Sequence, residues 1–246
     1  MSREWRPSSI YEAQAVWAGV YVDGSDRMDR QRLAAVRLFC GLRGSVLDLG
    51  AGGGGTAEAL AEAGYVVTAL ENDDFLAARA QERARGGRFR LLHADFYDVT
   101  LPHTFDLVTY FDGFGLSSDE AQRRLLVRIA SWLRPSGRAL IEIYAPGYWS
   151  AMAGKRVRLG QATREYQFDY QGSRLIDTWT GPTGDEFRQT LRCYAPADLA
   201  LLLEPTGLCL DSVQSLDGCQ WAGDVARTRY SYLAAIAHAN PYPTAS

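Results

Sequence analysis

Apolar positions change their spacing along the chain, and each change marks an element. Residues 26–41 place Leu33, Val36, Phe39 and Cys40 at helical intervals, and Gly41 and Gly44 close the segment. Residues 45–49 form a short apolar run broken by Asp48, followed by six small residues, Gly50 to Gly55. Helical character returns over 56–63 and stops at Gly64. An apolar, β-branched run over 65–70 ends in Glu71, and Asp73 or Asp74 caps a helix reaching Arg85. Strands follow at 89–93 and 105–111. A helix over 118–133 has Ser117-Ser118-Asp119-Glu120 as a capping box and turns Leu125, Leu126, Ile129 and Trp132 inward. Pro135-Ser136-Gly137 predicts a turn before a fifth strand over 139–144.

Strands alternating with helices imply βαβ units: an α/β, doubly wound, mostly parallel sheet with helices on both faces. After Ala145 the period shifts to two. Residues 155–192 alternate polar and aromatic positions between turn signals at Gln171-Gly172 and Gly181-Pro182-Thr183-Gly184, which reads as an antiparallel meander. A helix over 195–204 and two strands, 208–213 and 230–237, complete the chain as an antiparallel terminal pair, and the tail 240–246 reads as disordered. The expected organisation is one domain. An N-terminal aromatic cap (1–28; Trp5, Tyr11, Trp17, Tyr21) covers a core (29–150 and 194–239), and an antiparallel lid (151–193) is inserted after the fifth strand.

Composition narrows the function. The 246 residues are 47% apolar and 22% charged, with a formal net charge of -3. A nucleic-acid binder carries a basic stripe, and here Lys and Arg are scattered. No apolar run has the length of a membrane span. The N-terminal Met-Ser-Arg-Glu-Trp lacks the apolar core of a signal peptide. Cys40, Cys193, Cys209 and Cys219 form no C-x-x-C pair, no metal site is expected, and three of the four lie in apolar segments. Buried, reduced thiols and a cytoplasmic location are the default reading.

The glycine cluster at the end of the first strand permits positive φ and close backbone approach to a ligand. In an open sheet that position is the cofactor crevice. Glu71, ending the next strand, is placed to accept hydrogen bonds from ribose hydroxyls. A P-loop is excluded because no Gly-Lys-Ser/Thr follows. A dinucleotide motif fits formally from Gly50 to Gly55, but Asp48 would repel a pyrophosphate and suits a positively charged amino-acid end.

At this point a family resemblance emerges. Val46-Leu47-Asp48-Leu49-Gly50-Ala51-Gly52-Gly53-Gly54 resembles the first motif of class I S-adenosylmethionine-dependent methyltransferases. Glu71 is similar to their second-strand acid, and His93-Ala94-Asp95-Phe96 to their third motif. Phe105-Asp106-Leu107-Val108 resembles their fourth-strand motif, and Leu133-Arg134-Pro135-Ser136-Gly137 their turn before the fifth strand. The resemblance covers roughly 44–144 and implies a Rossmann-like seven-stranded sheet with a reversed last strand. It implies S-adenosylmethionine as cofactor and S-adenosylhomocysteine as product. Gly50, Ala51, Gly52 and Gly54 would admit the methionine and ribose. Asp48 would act near the amino group, Glu71 and Asn72 at the ribose, and Asp95 and Phe96 at the adenine, with Tyr110 beside the methyl.

Methyl transfer rests largely on proximity, and needs a base only when the nucleophile arrives protonated. Tyr110, Asp112 and Tyr144, at the ends of the fourth and fifth strands, are the candidates beside the transferring methyl. Phe114, Tyr148, Trp149, Tyr166, Tyr170 and Arg192, with Asp169 and Asp177, are candidates for holding a small-molecule acceptor. Tyr-Phe-Asp-Gly after the fourth strand departs from the Asn-Pro-Pro-Tyr of many nucleic-acid amino methylases. The expected activity is methylation of O, N or C of a small metabolite, with secondary metabolism as the expected setting. Aminobutyryl transfer or cyclisation from the same sulfonium, a non-catalytic binding module, and a nicotinamide oxidoreductase remain as alternatives. Lid aromatics could equally face a partner chain, which leaves a homodimer open.

Overall fold

A computed structural model of the protein describes residues 7–20, 26–221 and 225–239. The first helix is α1 (Ile10–Ala18), and Trp5 and Tyr21 of the expected aromatic cap, with the tail 240–246, lie outside the described residues. Ser9 caps α1 by accepting from the Glu12 N–H at 3.2 Å, and Gly19 ends it in the left-handed region. Then come α2 (Asp26–Cys40), β1 (Ser45–Leu49), α3 (Gly55–Glu62), β2 (Val66–Glu71), α4 (Asp74–Ala84), β3 (Arg90–His93), β4 (Phe105–Tyr110), α5 (Asp119–Trp132) and β5 (Leu133–Tyr144). The β1–β5 segment with its helices is the predicted α/β alternation.

The large sheet has seven strands in the order β10-β11-β5-β4-β1-β2-β3, where β10 is Leu208–Gln214 and β11 is Ser231–His238. The pairings among β1 to β5 are parallel, and β11 runs antiparallel to both β5 and β10. This is the expected sheet with its last strand reversed. Alternation along the strands supplies a core on each face. Leu47, Val108 and Ile141 pack with Leu125, Ile129 and Trp132 of α5 on one face. Val46, Leu107 and Leu140 pack with Val36 of α2 and Leu60 of α3 on the other. Chain order reverses between β1 and β4, so their carboxyl ends diverge into a crevice at the switch point.

Two local expectations change. Ser118 does cap α5, accepting from the Ala121 N–H at 3.2 Å, but the third helical residue is Ala121, so the return half of a capping box is missing. The turn expected at Pro135-Ser136-Gly137 is absorbed into β5, which begins at Leu133 rather than Ala139. The ladder to β4 jumps from Phe105↔Leu133 to Leu107↔Arg138, so the extra residues bulge, and Gly137 lies where a Cβ would press on the Phe105 and Asp106 carbonyls at 3.0 and 3.1 Å.

Beyond β5 the helix α6 (Pro146–Met152) leads into a separate antiparallel sheet of β6 (Arg156–Leu159), β7 (Ala162–Asp169), β8 (Arg174–Thr180) and β9 (Glu186–Arg192). The chain returns through α7 (Pro196–Leu203) to β10, and α8 (Val225–Thr228) precedes β11. One face of the small sheet packs on Tyr144 and Trp149, and its far end packs on Ala13 and Trp17 of α1. Of the four cysteines, only Cys193 is buried. Cys40 is half-buried, while Cys209 and Cys219 are exposed, because they occupy outward positions of β10 and the following loop. All four are unpaired thiols. Among the described residues, no helix is long and apolar enough to cross a membrane, and no group of three or more His, Cys, Asp or Glu is placed to hold a metal.

Candidate active site

The glycine turn after β1 places Gly50, Gly52 and Gly54 at φ +58°, +57° and +83°, a conformation costly for any residue with a Cβ. Their surroundings separate their roles. Gly50 lies against the Tyr110 ring, 3.1 Å from where its Cβ would be, whereas a Cβ on Gly52 would meet nothing within 4 Å. Gly52 is the open floor of a cavity of about 580 Å³ in the crevice between β1 and β4. Gly54 faces the other way, where a Cβ would press on Ala80 of α4 at 3.1 Å and Phe89 at 3.0 Å. Its service is close packing of α4, and it does not line the cavity.

Glu71, at the end of β2, reaches across to this turn. One carboxylate oxygen accepts from the Gly52 N–H at 2.7 Å, and the other from Asn72 and Asp73 N–H at 2.9 Å each. Burial pushes its carboxyl above the usual range against the pull of those three donors. Ala51, Asn72, Asp95, Phe96 and Tyr110 join Gly50, Gly52 and Glu71 on the cavity wall. Asp95 already accepts from the Tyr97 N–H at 2.7 Å, which fixes its carboxylate at the start of the loop after β3.

Asp48 departs from expectation. It is fully buried in β1, accepts from the Thr109 hydroxyl of β4 at 2.7 Å, and does not line the cavity. Alternation explains this, since Asp48 precedes the strand end by one residue and turns into the sheet interior. Burial pushes its carboxyl up to about 6, opposed by the Thr109 hydrogen bond and by Arg32. Among the described residues, two cations line the cavity, Arg32 from α2 and Arg83 from α4, and Arg83 is paired with Glu58 at 2.6 Å. Arg32 is tied into the strand ends. It donates to Thr56 Oγ1 at 3.4 Å, pairs with buried Glu142 at 3.4 Å, and lies over the Phe111 ring at 5.0 Å. Glu142 in turn accepts from the Ser231 hydroxyl at 2.7 Å. Nothing in the hydrophobic pattern of α2 singled out Arg32 among its several arginines.

A second cavity, about 320 Å³, lies between the two sheets. Tyr11, Val20, Asp112, Leu116 and Tyr230 line both cavities and form the neck between them. Asp112 has φ +59°, one of two described residues other than glycine with positive φ, and it accepts a hydrogen bond from the Tyr144 hydroxyl. Burial carries the Tyr144 phenol well above the usual tyrosine range, and the Asp112 charge adds to this, so Tyr144 acts as a donor. Tyr110 is likewise raised by burial, and its hydroxyl donates to the Gly113 carbonyl at 3.0 Å, so it serves as wall rather than base.

Of the expected acceptor residues, Tyr148 and Trp149 line the second cavity, and the others do not. Phe114 is buried between Tyr110 and Tyr194. Tyr166 lies beneath Trp149 and the Arg164 guanidinium. Tyr170 is 73% exposed at a hairpin, and its hydroxyl reaches the Ser150 carbonyl at 3.4 Å. Arg192 is drawn away to Asp119 of α5 at 3.4 Å and stacks over Tyr194 at 4.6 Å, tying β9 to the core. Asp169 shapes the β7–β8 turn by accepting from the Gln171 N–H at 3.0 Å. Asp177 is buried behind the wall, accepting both Arg164 donors at 2.8 Å, Gln189 Nε2 at 3.1 Å and Trp179 Nε1 at 3.2 Å. Arg164, Gln189, Trp179 and Gln14 form the polar end of the cavity instead. Inward positions of opposite charge on neighbouring strands, Arg164 and Asp177, were the available signal.

Comparison with known proteins agrees with this geometry. Residues 46–137 match the family model described as a methyltransferase domain. Among curated proteins, the chain is 32% identical over 112 residues to a cypemycin N-terminal methyltransferase from a Streptomyces species, covering 45% of this chain and 46% of that one. It is 31% identical over 101 residues to the mitochondrial ubiquinone biosynthesis O-methyltransferase of Schizosaccharomyces pombe, covering 39% and 36%. The matches thus span less than half of either relative. Among solved structures, the CcbJ methyltransferase from Streptomyces caelestis superposes with a TM-score of 0.75 at 20% identity, covering 88% of this chain and 97% of that one. An S-adenosylmethionine-dependent methyltransferase from Clostridium acetobutylicum gives 0.74 at 13% identity, covering 93% and 98%. The chain thus has the fold of these solved methyltransferases, and the segment that matches the methyltransferase-domain model runs from β1 to the start of β5. Gly52 and Glu71, on the wall of the first cavity, both lie within the matched residues 46–137.

Proposed function

We propose that the protein transfers a methyl group from S-adenosylmethionine to an O, N or C atom of a small metabolite held in the second cavity. The observation that carries this reading is the neck at Asp112, where a cavity of cofactor size opens onto one of small-molecule size. The cofactor supplies an activated methyl on a sulfonium, and the chain's work is to position, dry and deprotonate.

Gly50 and Gly52 admit the amino-acid and ribose portion, because no side chain stands between it and the backbone. Three of roughly four acceptor positions on Glu71 are filled by backbone N–H groups, so taking both ribose hydroxyls displaces the Gly52 donor. Phe96 covers the adenine and Asp95 accepts from its amino group. Arg32 meets the methionine carboxylate, with Asp48 and Glu142 holding the guanidinium in place. At the neck, Tyr144 orients Asp112, which takes a proton from an acceptor that arrives protonated. The small sheet and α1 close over the acceptor as a lid that keeps water out. The acidic net charge and the size of the second cavity support a small organic acceptor over a nucleic acid, and the unpaired thiols support a cytoplasmic location.

Calorimetric titration with S-adenosylhomocysteine, with NAD as control, tests the cofactor assignment. Micromolar binding of the first alone is expected, and Glu71→Ala should weaken it at least tenfold. Unchanged binding in that variant would overturn the site. Mass analysis of turnover separates methyl transfer, which yields S-adenosylhomocysteine, from aminobutyryl transfer, which yields methylthioadenosine.

A further inference from the structure

Resting on that reading and sharpening it, we propose that the acceptor is a small organic amine. It is recognised as its ammonium ion by the neck carboxylate of Asp112 and the aromatic wall beside it.

The wall is one continuous set of rings. Tyr144 stacks on Trp149 at 5.3 Å between centroids, Tyr148 meets Trp149 edge-on at 5.1 Å, and Tyr230 contacts all three at 6.2 to 6.5 Å. All four line the second cavity. Such faces attract a cation, and the attraction grows when water is excluded.

The charges point the same way. Among the described residues lining this cavity, the only acid is Asp112 and the only base is Arg164. Arg164 is neutralised by its two-point pair with Asp177 and is sandwiched between Tyr166 and Trp179 at 4.8 and 4.9 Å. From the cofactor side Arg32 is matched by Glu142, and Asp48 adds a further carboxylate behind it. The remaining ionisable groups facing Asp112, namely Tyr11, Tyr110, Tyr144 and Tyr230, are phenols that carry no positive charge. Asp112 accepts a hydrogen bond from the neutral Tyr144 phenol and stands at the point both ligands share. A cation with protons to donate completes it; a neutral hydroxyl leaves its charge unmatched.

The chemistry balances. The ammonium gives one proton to Asp112, which frees the nitrogen lone pair. That pair forms the N–C bond while the C–S electrons remain on sulfur. The product is a methylated ammonium beside a neutral thioether, and the proton on Asp112 passes to water.

Two isosteric probes test this on the full chain saturated with S-adenosylhomocysteine: N-methylbenzylamine, cationic at neutral pH, and the neutral benzyl methyl ether. We expect calorimetry to show the amine bound roughly tenfold more tightly than the ether. Asp112→Asn, which suits the left-handed backbone, should abolish that preference at saturating S-adenosylhomocysteine. Tyr148→Leu should reduce the preference without abolishing it. Equal binding of the two probes, binding of neither, or a preference that survives Asp112→Asn would overturn the proposal. Failure of S-adenosylhomocysteine to bind would instead remove the methyl-transfer reading beneath it.

Discussion

Gly52 and Gly54 share a backbone conformation and differ in what they face, so the same substitution has opposite signatures. Gly52→Ala places a methyl in the open cavity and carries about 1 kcal/mol of left-handed strain. Its stability should be near wild type, while S-adenosylhomocysteine affinity falls more than tenfold. Gly54→Ala drives a methyl onto the α4 backbone and should cost about 2–4 kcal/mol in urea unfolding. The third glycine of the motif packs against α4, while the second faces the open cavity. Asp48 allows a separate test through pH. Burial holds its carboxyl at about 6 in the fold, above the unfolded-chain range near 4, so the folded state favours the protonated form. Its contribution to stability is complete below about pH 4 and is lost as pH rises through about 6. Asp48→Asn lacks that loss, so variant minus wild-type stability should grow by about 2–3 kcal/mol between pH 4 and pH 7. A flat difference would mean that Arg32 and Thr109 compensate the buried charge fully.

At the level of elements, α1 and the small sheet are joined by a few close contacts. Gly181 lies under Trp17, where a Cβ would come within 2.5 Å of the indole, and the Gln161 N–H donates to the Trp17 carbonyl at 2.7 Å. Gly181→Ala should therefore speed amide exchange across α1 and leave the seven-stranded core protected, as mass spectrometry would read it. Inside the same sheet, Asp177→Ala leaves the half-buried Arg164 guanidinium without its carboxylate partner and should cost about 2–3 kcal/mol, whereas replacing both partners with apolar residues recovers most of it. The parallel core was legible because its helices and strands announce themselves by different periods, and the carboxyl ends of parallel strands converge on one crevice. That convergence brings Gly50, Glu71, Phe96 and Asp112 onto the wall of one cavity. The meander was legible as strands but not as a site. A period of two names two faces without saying which one the core covers, so hairpin and edge residues such as Tyr170 and Arg192 read as well as Gln189. The helix α6 was missed because Pro146-Gly147 reads as a loop, although proline suits the first turn of a helix.

For the whole molecule, a ligand that binds the folded state alone raises stability by mass action. S-adenosylhomocysteine at about a hundred times its Kd should add about 2.7 kcal/mol, which for a chain of this length moves the Tm upward by roughly 5–10 °C. A shift with NAD but none with S-adenosylhomocysteine would reverse the cofactor assignment. The left-handed backbone at Asp112 also bears on how such a molecule diversifies over generations. Few residues tolerate φ near +59°, chiefly Asp, Asn and Gly, and both replacements of Asp lie one nucleotide change away. Mutation at the neck thus has few viable destinations: an acid, its amide, or no side chain. Lineages descended from this scaffold that abandon amines should carry Asn or Gly here while still inheriting the aromatic wall, so that this one codon records the ancestral acceptor's charge.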